Sequence, residues 1–359
     1  MPHLLLAVTA HGYGHLAQSS PVVEALTRRL PGLRVTLLSD VDPAFAGQRL
    51  PPGFHHLRQR SDPGLRMRGP MLTDWDGSLT DYLRFDAEYG ERLRRQIDLL
   101  RRLAPDLVLA DVPWLPLDAA RRLGIPAVGL CSLTWYDILR ECPLGDRVPE
   151  PVLARMREVY AAADLFIRPA PTMPMTWVPN AVDVGPIARQ RPNRADELRR
   201  RLGVAPGRAL VLVQFGGFDG FDPLRNWPEQ GRVHFLLPGP GGHDRRDASS
   251  LAEHGLGMLD CLGSADLWIT KPGYGTYAEA ACNGIPVLYC PRGDWPEEPY
   301  LNRWLADHVP LAEVPLGDLL AGRIGACLEP LLSAPRPRPV APTGIEGSVE
   351  HLVKLLGVG

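Results

Sequence analysis

Ala265-Asp266-Leu267-Trp268-Ile269-Thr270-Lys271-Pro272-Gly273-Tyr274-Gly275-Thr276-Tyr277-Ala278-Glu279-Ala280-Ala281-Cys282-Asn283-Gly284-Ile285-Pro286 is the stretch that decides the fold. It reads as a buried strand over 267–270, a glycine turn and a helix opening at Thr276. Glycines let backbone N–H groups crowd around an anion, and the helix start adds the positive end of its dipole. Thr276 is placed to cap that helix, with Glu279 three residues on, where a capping box needs it. Such a loop suits a diphosphate. A second glycine loop, His11-Gly12-Tyr13-Gly14-His15, follows the first apolar run of the chain. The two loops predict two nucleotide-fold halves that face each other.

The pattern extends outward in both directions. A strand over 4–9, a helix over 16–30 and a strand over 35–39 give the β-loop-α-β order of a doubly wound parallel sheet. A long Arg-rich helix is predicted over 79–103, a buried strand over 105–111 that ends on Asp111, a helix over 118–123 and a strand over 126–130. The stretch 48–75 has no clear periodicity. A strand over 165–168 closes the first half, and the proline-rich segment that follows reads as a linker. The second half has a helix over 196–202 and strands over 209–215, 234–237, 267–270 and 287–289. Near the end Pro335-Arg336-Pro337-Arg338-Pro339 is a stiff extended tract, followed by an amphipathic helix over 347–356. The expected domains are 1–170, a linker over 171–192, 193–333, and a tail over 334–359 that returns to the first domain.

Composition narrows the function. The 359 residues carry a formal charge of −2 at neutral pH, with 45% hydrophobic and 22% charged residues. That balance is ordinary for a globular enzyme and argues against a broad nucleic-acid footprint. Basic charge is almost all Arg, with Lys271 and Lys354 the only lysines. The six cysteines form no C-x-x-C pair, so no disulfide or metal framework follows from their spacing. They read as reduced thiols of a cytoplasmic protein. No apolar run approaches the ~20 residues of a membrane-spanning helix.

Gly12-Tyr13-Gly14-His15-Leu16-Ala17 formally matches G-x-G-x-x-A, and Asp40 ends the second predicted strand. That half alone admits an NAD oxidoreductase. Against it, His11 and His15 flank the turn where a pyrophosphate would lie, and the second half carries the better phosphate loop.

Gly14-His15 with Pro21, the strand 105–111, Phe215-Gly216-Gly217 and the stretch 271–286 resemble the GT-B glycosyltransferases. The resemblance is nearer to the glycosyltransferase-like N-terminal half of plant L-arabinokinases. The shared features there are His11–His15, Leu133-Thr134-Trp135-Tyr136-Asp137, Phe215-Gly216-Gly217, Gly273–Thr276 and Asp294-Trp295-Pro296-Glu297-Glu298-Pro299-Tyr300-Leu301. The lipid II GlcNAc transferase and the galactolipid synthases are similar in the second glycine loop. The resemblance implies a GT-B fold, with two Rossmann-like domains facing across a cleft. It also implies an inverting, metal-independent transfer of sugar from a nucleotide-diphosphate sugar to a hydroxyl acceptor. UDP is the expected donor nucleotide, and no resident cofactor is expected.

In that reading His15 is the general base and Asp111 orients it; a helix-capping His15 and a turn-capping Asp111 are the plain alternatives. Gly14 belongs to the donor-facing set. Gly273, Tyr274, Gly275 and Thr276 clamp the diphosphate. Gly216 and Gly217 allow close approach of the donor, Glu279 grips the ribose, and Lys271 is a candidate counterion. Glu297 and Glu298 stand where the family reads donor-sugar hydroxyls; relatives have an acid-Gln or Gln-Gln pair there. Two acids suit a neutral sugar and would repel a uronic acid. His11 reads as a satisfied structural histidine, a second base candidate or an acceptor contact. Acceptor candidates are Trp75, Trp135 and Tyr136 for stacking, and Asp74, Asp76 and Asp137 for polar contact. A sugar-nucleotide epimerase on the same fold and a non-catalytic sugar-nucleotide-binding protein remain open, as does the NAD enzyme.

Overall fold

The computed structural model describes residues 1–216, 221–239 and 245–357. Its first half is a seven-stranded sheet built from β1 (His3–Val8), β2 (Arg34–Leu38), β3 (His55–Leu57), β4 (Leu107–Asp111), β5 (Ala127–Leu130), β6 (Leu165–Pro169) and β7 (Ala181–Val184). The second is a six-stranded sheet of β8 (Ala209–Gln214), β9 (Val233–Leu237), β10 (Ala248–Ser250), β11 (Leu267–Thr270), β12 (Val287–Tyr289) and β13 (Leu311–Glu313). The orders are β3-β2-β1-β4-β5-β6-β7 and β10-β9-β8-β11-β12-β13. Every pairing is parallel.

The unbroken apolar runs of the sequence follow from this topology, because a parallel sheet covered on both faces is buried on both faces. In β1, Leu5 and Ala7 point into one apolar cluster, and Leu4, Leu6 and Val8 into the other. In the second sheet Leu210, Leu212 and Trp268 face one layer, and Val211, Val213, Leu267 and Ile269 the opposite one.

Strand order reverses at β1/β4 and at β8/β11, and ligands of such sheets bind at these crevices beyond the strands' carboxyl ends. The loop 11–15 leaves β1, Asp111 ends β4, the loop at 215–216 leaves β8, and 271–273 leaves β11. The two glycine loops, His15 and Asp111 therefore meet at the two switch points.

Several elements differ from the sequence reading. The long Arg-rich helix is two, Trp75–Ala87 and Tyr89–Leu103, broken at Glu88. The first sheet has an edge strand, β7, inside the segment read as linker, because Phe166 to Pro169 still pair with Ala181 to Val184. The helix expected to open at Thr276 spans Tyr274–Asn283, with Gly273 before it and no side-chain cap. The Thr276–Glu279 capping box is therefore not formed.

The chain's last elements tie the halves together. Arg336 of the proline tract donates to the carbonyls of Gly263 and Asn283 at 3.0 and 3.2 Å. The helix Gly344–Leu355 then sends Val349 and Leu352 into the cluster that holds Leu4, Leu6 and Leu16.

Candidate active site

β1 and β4 are register neighbours, with Val8 opposite Asp111. The sheet thus brings the loop after β1 against the end of β4. Gly12 turns that loop with φ +72, a conformation that favours glycine, and the helix Gly14–Arg29 follows. His15 lies in its first turn. Its Nδ1–H donates to Asp111 Oδ1 at 2.8 Å. The bond leaves Nε2 without a hydrogen bond among the described residues. His15 does not cap the helix, whose preceding residue is Tyr13.

Asp111 is fully buried, and its Oδ2 has no hydrogen-bond partner among the described residues. Burial pushes its carboxyl up, and His15 draws it back down. For His15, burial works against protonation but is outweighed by the Asp111 charge and hydrogen bond, so the ring is held above its ordinary value. Cys131 lies beneath, its Sγ 3.7 Å from His15 Nδ1. The ligand atoms of His15, Asp111 and Cys131 fall within 4.8 Å of one another, the one such His/Cys/acid group among the described residues. The Cys131 thiol itself is held well above its ordinary range by burial.

His11 is different. It stacks on Trp295, with ring centroids 5.8 Å apart, and meets Trp135 edge-on at 5.5 Å. Its Nδ1 contacts the backbone of Leu65. Burial, with the charges of His15 and Arg292, lowers it to about 3. It is a neutral ring packed between tryptophans.

His15 opens onto a cavity of about 220 Å³ between the halves. From the first half Gly14, Ala17, Arg49, Met67 and Ser132 line it; from the second, Lys271, Gly273, Tyr274, Gly275, Thr276, Glu279, Arg292, Trp295 and Glu297. A larger cavity of about 1040 Å³ adjoins it, lined by Phe215, Gly216, Phe221, Gly239 and 255–260. Tyr13, Phe45, Arg49, Gln214, Gly216 and Met258 line both. Gly216 takes φ +86 at the turn after β8; Gly217 lies outside the described residues.

The helix Tyr274–Asn283 points its uncapped first turn into the smaller cavity. A Cβ at Gly275 would touch Ala17 Cβ at 3.9 Å and the Gly14 carbonyl at 4.0 Å. The two glycine loops therefore face each other closely, with room for about one methyl group between Gly275 and the Gly14–Ala17 segment. The Tyr274 hydroxyl accepts from the Ile187 N–H at 3.0 Å, which directs its side chain to the interdomain segment. The Lys271 ammonium makes no hydrogen bond or ion pair among the described residues, and burial with Arg292 nearby lowers it to about 7. Glu279 is buried, and its carboxyl is pushed up by burial against the pull of Arg49, Arg189 and Arg191.

The acid pair splits. Glu297 lines the cavity, but its oxygens already accept Ser132 Oγ at 2.7 Å and Trp295 Nε1 at 3.2 Å. Glu298 turns back to accept the Arg292 N–H at 2.9 Å and stands off the cavity. The two carboxylates are thus not presented side by side.

Most acceptor candidates have structural work instead. Trp135 is fully buried and donates to Asp62 at 2.6 Å. Trp75 donates across the halves to Asp294 at 2.6 Å. Tyr136 packs edge-on against Trp177, with ring centroids 4.7 Å apart. Asp74 caps the helix Trp75–Ala87, Asp76 pairs with Arg147, and Asp137 accepts from Trp177. Asp40, the ribose acid of the dinucleotide reading, is bound by Arg58 and Arg60 at 3.0 and 3.3 Å. Sequence reasoning missed Arg49 and Arg292; Arg49 lies at the edge of the stretch without periodicity.

No family model matches the chain. The L-arabinokinase of Arabidopsis thaliana is 24% identical over 369 residues, covering 99% of this chain and 35% of its own length. This chain therefore spans about a third of that relative. An uncharacterized glycosyltransferase of Methanopyrus kandleri is 26% identical over 236 residues, covering 60% of this chain and 67% of its own. Among solved structures, the calicheamicin glycosyltransferase CalG4 superposes with a TM-score of 0.66 at 18% identity, covering 100% of this chain and 99% of its own. Phytolacca americana UGT2, solved with UDP-2-fluoro-glucose and pterostilbene, superposes with a TM-score of 0.60 at 16% identity, covering 99% and 94%. The chain has the GT-B fold, and no described helix is long and apolar enough to cross a membrane.

Proposed function

We propose that this protein is a glycosyltransferase that moves a sugar from a nucleotide-diphosphate sugar to a hydroxyl acceptor with inversion, without a metal. The observation that carries this reading is the His15–Asp111 bond of 2.8 Å at a cavity that the uncapped helix Tyr274–Asn283 enters from the other side. A base and an anion site thus face each other across the cleft.

The chemistry follows from the residues. His15 Nε2 takes the proton of the acceptor hydroxyl as the oxygen attacks the anomeric carbon. Asp111 fixes the ring's tautomer and stabilises the imidazolium that forms. The diphosphate leaves from the opposite face, and the first-turn N–H groups and Lys271 meet its charge. The larger cavity takes the base, and Glu279, which lines the smaller cavity beside it, accepts ribose hydroxyls. Because Glu298 is turned away, Glu297 is the acid left to read the sugar. UDP is the donor nucleotide we favour, and the acceptor is a small molecule or glycan. The mechanism keeps both steps on protein groups, so chelators should leave the rate unchanged. A cytoplasmic location fits the free thiols.

The nearest competing reading is a protein that binds sugar nucleotides without transferring them, since the relative that matches 99% of this chain is an L-arabinokinase matched over only 35% of its own length. A thermal-shift panel of UDP, GDP, dTDP, CMP and NAD tests the donor site, because a ligand bound to the native state raises its melting temperature. A shift with a nucleoside diphosphate and none with NAD is expected. NAD alone shifting the protein would overturn the proposal.

A further inference from the structure

Arg49 closes the short helix Pro43–Arg49 on the first half, yet its guanidinium sits among donor-side residues. The side chain is 9% exposed, and Nη1 is buried with no hydrogen-bond partner among the described residues. Its nearest carboxylate oxygen, Oε1 of Glu279, is 3.9 Å away, beyond hydrogen-bond reach. The position is held rather than accidental. The guanidinium lies over the Phe45 ring at 5.1 Å, and Phe45 stacks on Tyr13 at 4.1 Å. Arg49's own carbonyl accepts from Arg189 Nη2 at 3.3 Å, and the same nitrogen holds Glu24 at 3.2 Å.

The local charge does not balance. Arg49, Arg189 and Arg191 all act on the buried carboxylate of Glu279. Arg189 also pairs with Glu24 at 3.2 Å and Arg191 is exposed, which leaves Arg49 as the buried cation with no carboxylate within hydrogen-bond reach. Arg189 Nη1 is likewise buried without a partner. Desolvated cations left without hydrogen bonds are costly, and an anionic ligand relieves that cost. One turn before Glu279 the helix Tyr274–Asn283 opens, and Gly273 to Thr276 line the same cavity as Arg49. A guanidinium matches two phosphate oxygens at once, and an N–H cluster on the far wall matches the others.

We propose that Arg49 is a donor-binding residue that grips the diphosphate from across the cleft, so that the first half, and not the second alone, holds the donor. The inference rests on the donor-site reading above. With Arg49 on the diphosphate, Glu279 is left to accept ribose hydroxyls.

The test is calorimetric titration of UDP, GDP and dTDP, each against its parent nucleoside, on wild type, Arg49→Gln, Arg49→Lys and Gly275→Val. Arg49→Gln should weaken the diphosphate that wild type binds by roughly 10- to 100-fold, the worth of a hydrogen bond to a charged group. Its nucleoside affinity should stay within about two-fold, and Arg49→Lys should recover part of the loss. Equal weakening of diphosphate and nucleoside would make Arg49 a structural bridge to Glu279 and overturn the inference. So would wild-type diphosphate affinity in Arg49→Gln while Gly275→Val abolishes binding; that outcome leaves the donor-site reading standing. If wild type binds none of the diphosphates, both fall together.

Discussion

His15 and Asp111 stand 96 residues apart in the chain and 2.8 Å apart in space. The sheet, not a loop, sets this distance: Val8 and Asp111 are opposite one another in adjacent parallel strands. His15 follows one glycine turn later, at the start of a helix that packs back onto that sheet. A dyad built on a sheet's switch point is rigid, as an acid–base pair needs to be.

The pair predicts a pH profile. Burial alone would lower His15, but the Asp111 charge and hydrogen bond hold it above its ordinary value. The base form therefore accumulates only as pH rises through that raised value. Transfer should climb with pH along a limb whose apparent pKa exceeds the usual histidine value. Asp111→Asn removes the cause and leaves burial, so the limb should move to lower pH while the maximal rate falls. An acid limb unchanged in Asp111→Asn would show that another group controls it.

Gly275 tests the anion site. A Cβ there has ordinary contacts at 3.9 and 4.0 Å, so a larger side chain fits only by filling the space between the two loops. Gly275→Val should keep the melting temperature within a few degrees and lose nucleoside-diphosphate affinity by at least about ten-fold. Unchanged affinity by calorimetry would place the diphosphate elsewhere.

Lys271 offers a signature that needs no acceptor. Burial and Arg292 lower it to about 7, so at pH 8 the empty site holds it largely neutral. An anion beside it favours the charged form and raises its pKa. Nucleoside-diphosphate binding at pH 8 should therefore take up a proton, seen as a binding heat that varies with the buffer's ionisation enthalpy. Lys271→Met should abolish that dependence. The same uptake in the variant would exclude Lys271 as the group.

The tail should behave as part of the first half. Leu352 is fully buried among Leu4, Leu6 and Leu16. Leu352→Ala should cost about 2–5 kcal/mol in chemical denaturation, the usual range for a buried leucine. Deletion after Ala334 should lower the melting temperature further. A truncated protein with the wild-type melting curve would mean that the tail is dispensable.

What was legible in the sequence was whatever local pattern dictates. Continuous apolar runs marked β1, β4, β8 and β11, and glycines marked the turns beyond them. His15 and Asp111 stood out through the resemblance, which gives the histidine of Gly14-His15 and the acid ending the strand 105–111 their paired roles. Contacts made only by the tertiary fold were not legible. Thr276 and Glu279 have capping-box spacing, but the helix opens two residues earlier because Gly273 supplies the extended turn. Glu297 and Glu298 are adjacent in sequence, yet Ser132 draws one to the cleft and the Arg292 N–H draws the other away. Trp135 looked like a sugar platform until Asp62, 73 residues distant, bound its indole. β7 was hidden because its Ala181–Val184 run is short and lies among prolines.

The central claim of the proposed mechanism is that His15 takes the acceptor's proton and does not itself hold the donor, whose diphosphate sits at the Gly273–Thr276 turn. The direct test is His15→Ala, with donor affinity from calorimetry set beside the transfer rate. The account predicts donor affinity within about two-fold of wild type and turnover lower by roughly 10²–10⁴-fold, the usual worth of a general base. Adding Asp111→Asn should cost little more, since the pair acts as a unit. Transfer by His15→Ala at near the wild-type rate would contradict the account.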